Sequence, residues 1–137
     1  MESRKYFRAG DGADLANDGV DRTIDVAPFV GTWINTMRET KGFVKLIVSH
    51  RDGKLFVQAF GASAPELCDW GEVEAYVFAD RVDSRKGAAF SANYDTESIE
   101  VALQANMNLG LLVLLTFNRF KDGSGRSNYI CREFFHR

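Results

Sequence analysis

The residue pattern that comes closest to chemistry is Glu72, Glu74 and Tyr76, which alternate along one stretch of chain and so share one face of an extended strand. Two carboxylates at i and i+2 can carry acid–base work if that face is buried, because burial raises at least one pKa. Alternation along the same stretch puts Val73, Ala75 and Val77 on the other face, so the carboxylate row is expected to face solvent. The metal and nucleophile inventory is thin. His50 and His136 lie near neither Cys68 nor Cys131, the cysteine separation matches no zinc spacing, and both thiols read as reduced. No metal and no cofactor is expected. The sequence has no nucleophile elbow, no phosphate loop and no dinucleotide fingerprint, and Asp122-Gly123-Ser124-Gly125-Arg126 reads as a hairpin turn. Arg119, Lys121, Arg126 and Arg132 bring positive charge toward that turn, either for an anionic head group or as a solvated surface.

The elements that must position these residues are strands. From Gly31 onward, β-branched and aromatic runs alternate with period two and are separated by turn residues about every ten positions. They predict strands over 33–37, 43–50, 54–61, 72–79, 87–94, 99–107, 111–120 and 128–137. Asp52-Gly53 marks the clearest hairpin. Eight sequential antiparallel strands expose two edges unless the sheet closes, so the expected fold is all-β, an eight-stranded antiparallel up-and-down β-barrel. Residues 1–25, polar and dotted with aspartates, read as an N-terminal arm, and residues 26–137 as the barrel.

Length and charge bound the rest. The chain has 137 residues, 45% of them hydrophobic, which suffices for one domain with its own core. With 17 basic and 19 acidic residues intermixed, no field for nucleic acid is expected. The longest apolar run, 109–115, is far below the ~20 residues of a membrane span. The opening Met1-Glu2-Ser3-Arg4-Lys5 builds no secretory apolar stretch, so a cytoplasmic location is expected.

An eight-stranded barrel either fills with side chains or holds one small ligand. Alternation places Val44, Leu46, Val48, Leu55, Val57, Ala59, Val101, Leu103 and Ala105 inside, with Val113, Leu115 and Phe117 from the seventh run and Ala88 and Ala92 beside them. Small inward residues leave room for a small hydrophobic ligand; alternatively Phe90, Phe117 and Met107 fill the space. Outward aromatics Phe56, Phe60, Phe78, Phe120 and Phe135 point to a homo-oligomer.

The segment 26–35, reading V-A-P-F-V-G-T-W-I-N, resembles the opening of the calycin superfamily, whose first strand carries G-x-W, here Gly31-Thr32-Trp33. In those families an arginine on the last strand covers the tryptophan and closes one barrel end; the resemblance assigns that role to Arg132. Residues 36–43 leave no room for the helical lid of fatty-acid-binding proteins, so their carboxylate site is not carried over. G-T-W-I-N is also similar to avidin-type openings, where the asparagine matching Asn35 lines the pocket, but Glu39 stands where a serine is expected and biotin is not. With the Cys68-Asp69-Trp70-Gly71 loop, the chain resembles small lipocalin-like bacterial proteins. Trp70, in the longest inter-strand loop, caps a ligand or covers the barrel end. Asn35, Tyr76, Tyr94, Asn128 and Tyr129 are the polar groups able to orient a ligand or to sit satisfied in the wall. The expected ligand-binding set is therefore Asn35, Trp70, Tyr76, Phe90, Tyr94, Phe117 and Asn128. Three readings follow. One is a lipocalin-like binding protein; the second is a cofactor-free cyclase or isomerase whose barrel folds an apolar intermediate away from water; the third is a structural or interaction protein with a filled barrel.

Overall fold

The computed structural model describes residues 23–137, so most of the expected arm at 1–25 lies outside the described residues. The eight strands are β1 (Gly31–Asn35), β2 (Phe43–Arg51), β3 (Lys54–Gly61), β4 (Cys68–Ala79), β5 (Gly87–Asp95), β6 (Ile99–Asn108), β7 (Leu111–Phe120) and β8 (Tyr129–His136). They follow one another in chain order around a closed barrel, every neighbouring pair antiparallel, with β1 meeting β8 through Ile34↔His136 and Asn35↔Phe135. Closure leaves no free sheet edge, which is the physical reason a meander of this length rolls up. Among the described residues, no helix is long and apolar enough to cross a membrane.

One end of the barrel is plugged. A single 3-10 turn, Ala27–Phe29, drops Phe29 into the lumen, where its carbonyl accepts the Trp33 indole N–H at 2.9 Å and its ring meets Phe90 edge-on at 5.3 Å. Phe29, Trp33, Leu46, Val57, Leu103, Leu112 and Phe135 have 0% exposure, so the closed end and middle of the lumen are packed. The guanidinium over Trp33 belongs to Arg137, 4.2 Å from the ring; it also donates to the carbonyls of Val30 (2.7 Å) and Pro28 (2.5 Å). Arg132 instead lies exposed on the outer wall, 5.5 Å from the Phe134 ring. The role that the resemblance gives to Arg132 therefore falls to a residue five positions on, because β8 must run to the barrel's end before an arginine can reach the plug. The few arm residues described dock at this end, where the Asp25 N–H donates to the Arg85 carbonyl at 2.7 Å.

Alternation predicts the inward face of β3 and β6 correctly: Leu55, Val57, Ala59, Val101, Leu103 and Ala105 are buried. It fails on β7. There Leu112, Leu114, Thr116 and Asn118 point inward, while Val113, Leu115 and Phe117 lie on the outer face, Phe117 being 43% exposed. Residues 111–115 are apolar at both parities, so the pattern alone cannot choose a face. The register with β8 chooses it, pairing Leu112 with Phe135, Leu114 with Glu133, Thr116 with Cys131 and Asn118 with Tyr129. Phe135, expected outside, is accordingly buried.

Candidate functional site

Two of the three register shifts among the described strands fall at the open end. Two β-bulges sit side by side there. In β2, Phe43 pairs with Gly61 and Lys45 with Phe60, leaving Val44 as the extra residue. In β4, Asp69 pairs with Phe60 and Glu72 with Gln58, so that Trp70 and Gly71 together oppose the single Ala59. Without that extra residue Trp70 would share the outward parity of Glu72, Glu74 and Tyr76. With it, the indole turns inward and packs on the core. The first bulge likewise brings Phe43 in rather than Val44. The two rings then meet edge-on at 5.3 Å, and Trp70 meets Tyr94 at 5.5 Å. Gly61 makes room for this, since a Cβ there would come within 3.0 Å of the indole nitrogen.

The bulge in β4 breaks the ladder opposite Ala59, and Tyr94 repairs it. Its phenolic oxygen accepts the Ala59 N–H at 2.9 Å, and its O–H donates to the Gly71 carbonyl at 2.6 Å. Burial, with the Asp69 and Glu72 charges adding to it, pushes this phenol above its ordinary pKa, against the lowering effect of the Ala59 N–H bond. Asn35 does the same service for β2: its amide donates to the Phe43 carbonyl (2.9 Å), and its oxygen accepts the Met37 N–H (2.8 Å).

These devices frame a cavity of about 350 Å³ at the barrel mouth. Phe43 and Trp70 form its aromatic wall; Ile99 and Val101 are aliphatic lining; Thr116 and Asn118 of β7 and Tyr129, Cys131 and Glu133 of β8 form a more polar wall, with Met37, Glu39, Thr40, Lys41 and Gly42 at the rim. Asn118 donates to the Thr116 hydroxyl at 3.1 Å. The Glu133 carboxylate accepts the Thr40 hydroxyl, whose oxygen in turn accepts the Gly42 N–H at 3.0 Å. Burial and the neighbouring Glu133 raise the Cys131 thiol, which keeps it protonated and a poor nucleophile. The Trp70 indole N–H has no hydrogen-bond partner among the described residues, and Glu133 has no basic one.

Of the residues expected to bind ligand, the structure brings Trp70 to this cavity, with Tyr94 and Asn35 holding its walls from behind. Phe90 lies in the plug at the opposite end. Tyr76 (59% exposed) and Phe117 face outward, and Asn128 sits on an outer turn, its side-chain oxygen accepting the Phe120 N–H at 2.8 Å. The Glu72–Glu74–Tyr76 row is on the outside, as parity expects. Glu72 is paired with Arg51, which holds its carboxyl below the usual range, the reverse of what a general acid needs. Sequence reasoning missed Phe43, Thr116, Asn118, Cys131 and Glu133. Only the polar parity of 116 and 118, set against a run apolar on both faces, offered a signal for any of them.

The architecture is thus a closed eight-stranded up-and-down barrel, plugged at one end and hollow at the other. Comparison with known proteins finds no family model, no curated protein and no solved structure that matches the chain.

Proposed function

We propose that this protein is a calycin-like binding barrel that holds one small, largely apolar molecule in its mouth. The observation that carries the reading is the roughly 350 Å³ cavity, lined by aromatic rings and a few polar groups. Small-molecule sites have that make-up, and this volume falls near the lower end of their ~300–1,000 Å³ range, enough for a compact ligand and short of a long-chain lipid. The Gly31-Thr32-Trp33 start and the arginine-covered plug support the calycin likeness. Two free thiols fit a cytoplasmic, reducing setting. An outer row of Ala102, Phe117 and Ile130, paired across β6, β7 and β8, supports self-association.

Glu133 favours a second reading, a cofactor-free cyclase or isomerase, because it sets a carboxylate against an apolar wall. Native mass spectrometry of protein purified from its own host tests both. A co-purified small molecule, displaced together with a change in Trp70 fluorescence, is the expected result. Recovery of a substrate and its isomer together would favour catalysis. Protein that emerges empty and whose Trp70 fluorescence answers to no small-molecule probe overturns both.

A further inference from the structure

We infer that the mouth cavity selects a small organic cation, an amine or ammonium carried on an apolar, ring-sized body, and discriminates against carboxylates. The inference rests on the binding reading above and names the ligand's charge.

The first support is the balance of charge in the lining. Glu39 and Glu133 are carboxylates, and Lys41 is the one ammonium among the residues that line the cavity. Glu133 stands deeper than the other two, on β8 opposite Leu114, where a partner lost from water is electrostatically worth more than at the rim. Its known contacts are a hydroxyl and a thiol, from Thr40 and Cys131. A carboxylate can accept about four hydrogen bonds, so acceptor capacity remains for a ligand N–H.

The second support is where the basic groups of this end go. Sequence alone would offer Arg119, Lys121, Arg126 and Arg132 to an anionic head group. The structure commits the first three to carboxylates, Arg119 to Glu100, Lys121 to Asp95 and Arg126 to Asp122 at 2.7 Å, and puts Arg132 on the outer wall against the Phe134 ring. Lys45, nearby on β2, lies on the outer wall 4.5 Å from the centre of the Phe60 ring. An entering carboxylate would therefore meet Glu133 with no deep cation to offset it. An entering ammonium meets Glu133 in a cavity that Phe43, Trp70 and Tyr129 also line, and the face of an aromatic ring attracts a cation through its quadrupole.

The test uses three probes of one size: phenethylammonium, 2-phenylethanol and 3-phenylpropionate, titrated by calorimetry and by Trp70 fluorescence into the full chain at neutral pH. The ammonium should bind at least about tenfold more tightly than the carboxylate, with the alcohol between them. Glu133→Gln, whose amide oxygen can still accept from Thr40, should shrink the ammonium-to-carboxylate ratio to about threefold or less and leave the alcohol nearly unchanged. If the carboxylate binds as tightly as the ammonium, or if the preference survives in folded Glu133→Gln, the charge assignment is overturned while the binding reading stands. If no probe binds, both fall. Should Glu133→Gln fail to fold, the ranking of the probes on the wild-type chain decides alone.

Discussion

The two ends of this barrel are built from the same eight strands by opposite means. At the plugged end, alternation runs to the strand tips except between β4 and β5, where Ala88 is an extra residue, and two of the three links are two-residue turns, Asp52-Gly53 and Leu109-Gly110, each with both residues at positive φ. At the mouth, two bulges break the alternation, and the links between strands are longer, residues 36–42 and 121–128 among them. Regular pairing aims side chains of like parity inward and produces a solid core. An extra residue per strand re-aims single aromatics, displaces the ladder and leaves space that neighbouring side chains must frame. The packed core is concentrated at one end and the candidate cavity at the other.

The tryptophans separate the two ends most sharply. Trp33→Ala removes a ring with 0% exposure from the plug and should destabilise the protein by roughly 3–5 kcal/mol. Trp70→Ala, on the half-buried cavity wall, should cost well under half as much in urea unfolding while abolishing the fluorescence response to cavity ligands. Equal losses would mean that the mouth is core like the rest. Next in size is Tyr94→Phe, which leaves the Ala59 N–H and the Gly71 carbonyl without their partner and should cost about 1–3 kcal/mol. The pH dependence has a definite sign. Burial raises the phenol above its unfolded pKa of about 10, so its contribution is complete below that pH and is lost as pH rises through the folded value. Stability of the wild type should fall more steeply on the alkaline side than that of Tyr94→Phe; parallel alkaline limbs would remove Tyr94 from the account.

How far the sequence could be read follows the same division. Strand order and the inward faces of β3 and β6 are local consequences of period-two patterning and were legible; closure follows from the need to remove two sheet edges, and the Trp33 plug was what the calycin resemblance implied. The face of β7 was not, because residues 111–115 are apolar at both parities and only pairing with Phe135 decides. The candidate site was mostly hidden, since a bulge inverts parity at the residues that matter. Nothing in Cys68-Asp69-Trp70-Gly71 distinguishes a bulge from a loop until Ala59 is placed opposite it. Tyr94 and Asn35 were singled out as polar groups near the lumen, and the structure gives them backbone to hold.

A smaller contrast lies on β8 itself. Arg137→Ala removes two hydrogen bonds to the turn before β1 and the cover of Trp33, and should cost about 1 kcal/mol. Arg132→Ala, on the exposed outer wall, should stay within ~0.5 kcal/mol. Thermal unfolding of the two variants side by side checks the assignment of the plug arginine; a larger loss at 132 would reverse it.

The smallest expected effect is a gain. Leu109 takes φ 54 in the β6–β7 hairpin with its side chain 96% exposed, so it carries the steric cost of a left-handed conformation and buries almost nothing in return. Its counterpart Asp52 occupies the same left-handed region with a residue that tolerates it. Leu109→Asn supplies the residue that a turn of this type favours before glycine, and should raise stability by about 0.5–1 kcal/mol without touching the cavity. Because the turn and the mouth are at opposite ends, probe binding should be unchanged in that variant. A variant that gains stability and loses binding would show that the plug and the mouth are coupled through the barrel wall, and the division of labour between them would fail.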